Sequence, residues 1–542
     1  MKKINKFDII AIVLIVVFCI CLTPITFQND TFYTIKVGES ILKNGIDMQD
    51  HFSIHKDLSY SYPHWLYDLC TYLVYSKTGL VGIYVMTIIL ASLLGVLIYI
   101  TSKKLAKNNI LSFFTTLFIM FLMQGFIAAR AQLVTYSLFV LTIYNIEMYL
   151  KTKSKKNVLA LFIIPTIIAN IHIAVFPFYF VLYLPYIAEY IVSRILVDNC
   201  LIEKKIRKIE RKINDCSDKK IILKLEKDKK RLIAKKEKRE EKLKNAYKVI
   251  VSKPNKNVKK LILIMIATLF TGFLTPLKMY PYTYLVLTMI GKTTYFIAEH
   301  QPTILANLPM ATIYLLAIVG IPMFTKVKIK LSDLFLMFGL VTLAIMSQRQ
   351  ISLLFVLTAF IVTKMIVDVV KNNYKKELKV DITKEEAIIL VIITIMISSG
   401  FVYDNIKGKY KLIDSDAYPV KACDYIIKNI DIDNARFYND YDFGSYMIYR
   451  NIPVFIDSRA DLYDSKFSKK EDDIFYGYMQ VFSMTKYYKE IFDKYGITHL
   501  IIYKSSNLNI NIEGSNDKRY EKIYEDKKFV IYKYNQDSQN TW

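Results

Sequence analysis

Cysteine is scarce and scattered. The six residues (Cys19, Cys21, Cys70, Cys200, Cys216 and Cys423) show no C-x-x-C spacing and divide between apolar runs and loops. They indicate neither a disulfide framework nor a zinc site. The C-terminal part has no glycine-rich phosphate loop, so no nucleotide site is indicated there. The first apolar run, about 7–27, follows MKKINK. It is too long for a signal-peptide core and has no small-residue cleavage site, so it is read as a retained span. Internal repeats and mid-span charges are also missing, which argues against a lipid or polysaccharide transporter.

What is present is apolar residue in long blocks. Hydrophobic residues make up 53% and charged residues 22% of the 542. The blocks are near twenty residues long rather than amphipathic, which predicts membrane spans. Eleven are expected: 7–27, 78–100, 110–127, 133–150, 157–172, 175–197, 261–276, 305–324, 331–347, 351–369 and 387–403. Lysine clusters recur in alternate loops (TSKKLAKNN, KTKSKK, KVKIK, KNNYKKELKVDITKEE). The positive-inside rule then puts the N-terminus in the cytoplasm and everything beyond 403 outside. The fold class expected is an all-α polytopic membrane bundle over 1–403 with a small extracytoplasmic α/β domain over 404–542. The strands of that domain are read at 436–439, 453–456, 499–503 and 528–534.

The net charge of +25 would suggest nucleic acid in a soluble protein, but its location decides otherwise. The stretch 203–260 holds 24 Lys and Arg against 9 Asp and Glu. Ile202, Ile206, Ile209 and Ile213 make a coiled seam, so a basic cytoplasmic helical hairpin is expected over 198–260. It reads as a spacer attracted to anionic membrane lipids or as a docking arm for a cytoplasmic partner. No nucleic acid is expected as a partner.

The outer loop 28–77 is longer than a turn requires, and its polar centre, 30–68, carries Asp30, Asp50, His51, His55 and His64. Arg130, Gln132, Asn170, His172, Glu299, His300 and Arg349 fall at the same ends of the spans as this loop. Ionisable groups at membrane depth are costly, so their gathering at one end predicts a shared polar cavity. For each alone, snorkelling or capping is the competing reading. Carboxylates beside arginines suit attack by an acceptor hydroxyl on a sugar carried by a lipid phosphate. The carboxylate takes the proton, and the arginines, or a metal, stabilise the departing phosphate. His51 and His55 are spaced for a metal face on a helix, but Phe52-Ser53-Ile54 does not favour one.

These segments resemble, in order, the motifs of bacterial multi-pass membrane proteins placed with the GT-C-type glycosyltransferases. DTFYTIKVGESIL is similar to D-x-W-W-H-x-x-x-G, matching Asp30 and Gly38. DHFS and HWLYDL are similar to D-P-F-S and E-W-L-x-E, matching Asp50, Phe52, Trp65 and Asp68. RAQL, ANIH, IAEHQPT and QRQISLLF match Arg130 with Gln132, Asn170 with His172, Glu299 with Gln301 and Pro302, and Arg349. YNDYDFGSYMIYRNIPVFIDSRADLY brings Asp457, Arg459 and Asp461. Phe32, Tyr33 and Thr34 replace the family's W-W-H, and His300 replaces a Trp.

The resemblance implies an enzyme using polyprenyl-phosphate-linked sugars at the outer membrane face, with a glycan, lipid or protein acceptor and an inverting mechanism. Asp30 is then the general base, and Arg130 and Arg349 hold the donor phosphate. Asp50, His64, Asn170, His172, Glu299, Gln301, Asp457 and Arg459 are the expected substrate-binding residues. No cofactor is required by this reading, and a divalent metal is left open. For Asp457, Arg459 and Asp461 a turn tied by its own ion pairs stands beside the functional reading. The alternative to an enzyme is a transporter or a non-catalytic cell-envelope assembly protein.

Overall fold

The computed structural model describes residues 6–196, 200–216, 219–244, 248–374, 384–407 and 411–536. Residues 1–5 and 375–383 of the expected inner segments, and 217–218 in the hairpin break, lie outside the described residues.

The chain is a helical bundle carrying a four-stranded sheet at its C-terminal end. In order, α1 (Lys6–Leu22), α2 (Asn29–Asn44), α3 (Trp65–Ala106), α4 (Asn109–Leu122), α5 (Ala131–Thr152) and α6 (Lys155–Ile171) form the first half. Short α7 (Phe176–Val181) and α8 (Leu184–Leu196) lead into α9 (Cys200–Asn214) and α10 (Lys219–Lys244). Then follow α11 (Asn257–Thr268), α12 (Tyr280–Ile290), α13 (Pro309–Phe324), α14 (Leu331–Met346), α15 (Ile351–Tyr374) and α16 (Lys384–Lys407). The bundle interior is built on apolar side chains, with Ile15, Phe18, Leu94, Ile98, Met120, Ile143, Leu354 and Phe360 all buried. The outside is apolar too: Ile89 on α3, Leu316 on α13 and Phe338 on α14 are all 60% exposed or more. An exterior of this kind is solvated by lipid, not water. This is a membrane protein.

The apolar helices differ in length. Among the described residues, four helices are long and apolar enough to cross a membrane: Trp65–Ala106, Ala131–Thr152, Ile173–Leu196 and Gln348–Asn372. Helices at Asn109–Leu122, Pro309–Phe324, Leu331–Met346 and Ile388–Tyr403 are apolar but shorter. The first helix stops at Leu22, not at 27, and the expected second span is only part of a 42-residue helix. That helix kinks at Gly79, where φ is 65°, a left-handed conformation glycine adopts without a Cβ penalty.

At one end the bundle is basic and tied by charge. Asp8 accepts bonds from Tyr99 (2.8 Å), Asn109 (3.2 Å) and Lys103. Lys330 lies between Glu147 (3.6 Å) and Glu189 (3.4 Å). The expected charged hairpin forms here: α9 and α10 are linked by Lys236–Glu203 (2.8 Å) and Lys229–Glu210 (2.9 Å), pairs that only an antiparallel arrangement allows. Its exit strand β1 (Val249–Ile250) pairs in parallel with β2 (Ile329–Lys330).

Beyond α16, α17 (Val420–Asn429) precedes a sheet of order β3-β4-β6-β5. Strand β3 (Phe437–Asn439) is parallel to β4 (His499–Tyr503), and β5 (Tyr520–Glu525) and β6 (Phe529–Tyr534) complete it antiparallel. Three of the expected strands are present. PVFI at 453–456 is not one; it makes a single bridge from Val454 to Ser53. Asn439 explains why: its side chain accepts from Phe455 N (2.8 Å) and donates to Ile456 O (2.7 Å), taking up backbone groups a sheet neighbour would use. β5 was not expected, because its Tyr and Ile alternate with charges on an edge.

Candidate active site

The segment expected to be a loop begins with a helix. In α2, Thr31, Phe32, Tyr33, Thr34, Ile35, Val37, Gly38 and Ile41 are buried, packed between α3 and the C-terminal domain. Phe32 meets Tyr418 and Tyr446 edge-on at 5.0 and 5.2 Å. Gly38 is where α2 touches α3: a Cβ there would lie 2.1 Å from the Asp68 carbonyl oxygen. That contact fixes the helix, and so fixes Asp30 in its first turn, where a carboxylate is favoured by the helix dipole.

Arg130, just before α5, joins two carboxylates. Its Nε donates to Asp30 Oδ2 at 2.6 Å, Nη2 bonds the same oxygen, and Nη1 donates to Glu299 Oε1 at 2.9 Å. Burial opposes the Arg130 charge, yet Asp30 and Glu299 outweigh it and hold the guanidinium more basic than usual. Burial likewise opposes ionisation of Glu299, and the charges of Arg130 and Arg349 keep its carboxyl below the ordinary range. Asp30 Oδ1 accepts no hydrogen bond among the described residues.

A cleft of about 240 Å³ opens beside this triad, lined among others by Gln28, Arg130, Gln132, Glu299, Gln348 and Arg349. Arg349 makes no ion pair among the described residues, and its charge together with that of Arg130 balances the Asp30 and Glu299 carboxylates. Asp30 meets the cleft through Arg130 and keeps 16% of its side chain exposed. Gln28 and Gln348 are lining residues the sequence reading missed. Their signal was adjacency to Asp30 and Arg349.

Two histidines back this region. The rings of His64 and His172 lie 4.8 Å apart. His172 Nδ1 is 2.9 Å from Thr135 Oγ1, and that hydroxyl lies 3.3 Å from Ala131 O. His172 Nε2 is buried without a partner among the described residues. Burial, with the Arg349 charge, lowers His64 to about 3. His300 is lowered to about 4 by burial and by Arg349. His64 and His300 are neutral at pH 7.

Other expected site residues hold the scaffold. Asn170 donates to Leu274 O at 2.9 Å. Gln301 Nε2 donates to Thr294 O and Tyr295 O at 3.0 and 2.7 Å, shaping the loop that presents Glu299. Asp50, Asp457 and Arg459 form a closed cluster away from the cleft lining. Arg459 Nη1 donates to Asp50 at 2.6 Å and Nη2 to Asp457 at 2.8 Å, while the guanidinium lies 5.2 and 5.1 Å from the Phe52 and Tyr60 rings. Asp461 accepts from Tyr284 (2.5 Å) and Asp464 from Lys292 N (2.7 Å), so the same turn grips α12 and the loop after it. The geometry is that of ties between segments, with the turn's own ion pair among them.

The histidines at 51 and 55 do not converge on a metal. His51 pairs with Asp47 at 2.5 Å, and His55 Nε2 donates to Phe455 O at 2.8 Å. Among the described residues, no three His, Cys, Asp or Glu come together as a metal cage. Between Asp30 and Glu299 the cation is Arg130.

No family model matches this sequence, and no curated protein does either. Among solved structures, the chain superposes on the crystal structure of the Archaeoglobus fulgidus oligosaccharyltransferase tethered through a disulfide bond to an acceptor peptide containing the NVT sequon. The TM-score is 0.52 at 11% identity, covering 92% of this chain and 69% of that one. The chain shares the fold of that structure. The GT-C-type architecture implied by the motifs is therefore the one found, and at this identity the likeness is one of fold.

Proposed function

We propose that the chain is a membrane glycosyltransferase that moves a sugar from a polyprenyl-phosphate donor to a hydroxyl of a cell-envelope glycan, lipid or protein. The observation that carries this reading is the cleft itself: a carboxylate with one free oxygen, fixed on Arg130, beside an unpaired Arg349, in a GT-C-type fold.

The reaction is a single displacement with inversion. The acceptor oxygen bonds to the anomeric carbon as the bond from that carbon to the phosphate oxygen breaks, and the bonding pair leaves on the phosphate. Asp30 takes the acceptor proton on Oδ1 as general base. Arg349, with Arg130, neutralises the charge growing on the phosphate, a fork geometry suited to phosphate oxygens. Glu299 and Gln301 shape the acceptor side, and His64 and His172 form its polar wall. Asp50, Asp457, Asn170 and Arg459 act by positioning. Residues 1–403 make the membrane domain with eleven crossings and a cytoplasmic N-terminus, and 404–542 lie outside.

The test is transfer from radiolabelled polyprenyl-phosphate hexoses into a membrane lipid and glycan extract by detergent-purified protein. Wild type transfers label, and Asp30→Asn, equally folded, does not. Equal transfer by both removes Asp30 from the role of base. Donor binding without transfer by wild type overturns the enzyme reading.

A further inference from the structure

The charged hairpin has features beyond charge. The half-buried seams of α9 (Ile202, Ile206, Ile209, Ile213) and α10 (Ile222, Leu225, Leu232) account for the pairing of the two helices. Two apolar residues are left outside those seams at the start of α10: Ile221 is 50% exposed and Leu223 72%. They stand beside Lys224, on an insert carrying 24 basic and 9 acidic residues. Of those acids, Glu203 and Glu210 already pair with Lys236 and Lys229 within the hairpin.

The base of the hairpin is fixed to the basic end of the bundle through β1 and β2. With 26 residues, α10 is about 39 Å long, so its apolar start is far from that base. Standing away from the bilayer, the hairpin would hold Ile221 and Leu223 deep in water. Lying along the bilayer, it sets its basic faces on headgroups and its tip at the acyl boundary. Lysine-rich helices with a few exposed aliphatics bind anionic interfaces in this way.

We propose that the α9–α10 hairpin docks on an anionic lipid surface of the same membrane, with Ile221 and Leu223 as its apolar tip. This does not depend on sugar transfer. Hydrogen exchange of the full-length protein tests it in nanodiscs of phosphatidylcholine alone and with about 30% phosphatidylglycerol, whose two faces are equivalent. The expected result is exchange at 219–232 slowed about tenfold by phosphatidylglycerol, and restored by 0.5 M salt, which shortens the Debye length well below about 8 Å. Ile221→Asp/Leu223→Asp lowers the protection while leaving β1, β2 and the bundle unchanged. Equal exchange in both nanodiscs overturns the proposal. Protection by added polyuridylate or an acidic peptide, but not by phosphatidylglycerol, also overturns it and makes the hairpin a partner-binding arm.

Discussion

Arg459 and Asp50 are 409 residues apart in the chain and 2.6 Å apart in space, with 2% and 0% of their side chains exposed. The pair fastens the first outer segment to the C-terminal domain, and Asp457 completes it from the other side. Removing one charge leaves the others buried and uncompensated. Arg459→Ala is therefore expected to cost about 3–5 kcal/mol in thermal unfolding, with a smaller loss for Arg459→Met combined with Asp50→Asn. Burial opposes ionisation of Asp50, but the Arg459 charge and Ser53 hold its carboxyl below the ordinary value. Its contribution is thus complete above the unfolded carboxylate range and lost as pH falls through the lowered value.

Two glycines make a second prediction. A Cβ on Gly38 would sit 2.1 Å from Asp68 O, and one on Gly444 would sit 2.0 Å from Ile456 O. Both neighbours are backbone and cannot rotate away. Gly38→Ala and Gly444→Ala are each expected to lose about 1–3 kcal/mol or more by overpacking, measured as a lower melting temperature. Gly339→Ala, whose Cβ position has nothing within 4 Å, is expected to change little.

These positions show what the sequence made legible. Gly38, Asn439 and Gly444 stand in segments quoted for family likeness, and the structure gives each a packing reason. The polar residues at one end of the spans do share a cleft, because membrane cost confines them there: Arg130, Gln132, Glu299 and Arg349 line it. Asp50, Asp457 and Arg459 look like site residues, yet their charges are spent on one another. Helix α2 was hidden because its polar residues drew attention away from the buried Phe32, Ile35 and Val37. Their burial comes from α3 and from a domain four hundred residues away, which no local period reports.

His55 gives a pH prediction. It is 8% exposed, bonded to Phe455 O, and lowered to about 4 by burial. The unfolded state binds its proton first, so stability is full above about pH 6.5 and falls between there and about 4, by an amount on the order of 3 kcal/mol. His55→Gln, which retains an N–H donor, is expected to flatten the stability curve of the protein in that interval, as read from melting temperatures across pH.

The two arginines of the cleft should separate kinetically. Arg130 is held by Asp30 and Glu299, so Arg130→Gln frees both carboxylates and disturbs the geometry of the base itself. Arg349 has no such partner, so Arg349→Gln removes a charge from the cleft without breaking an ion pair. Its effect is expected on the departing phosphate: kcat lowered about 10²–10³-fold, with melting temperature within a degree or two of wild type. Arg349→Lys is expected to recover only part of that, since an ammonium lacks the planar fork that fits phosphate oxygens. Asp30→Asn should lower kcat about 10²–10⁴-fold with donor KM little changed, because a base acts on the acceptor proton and not on donor binding. If instead Arg349→Gln raised KM alone, Arg349 would bind the donor equally in ground and transition states, and charge stabilisation would fall to Arg130.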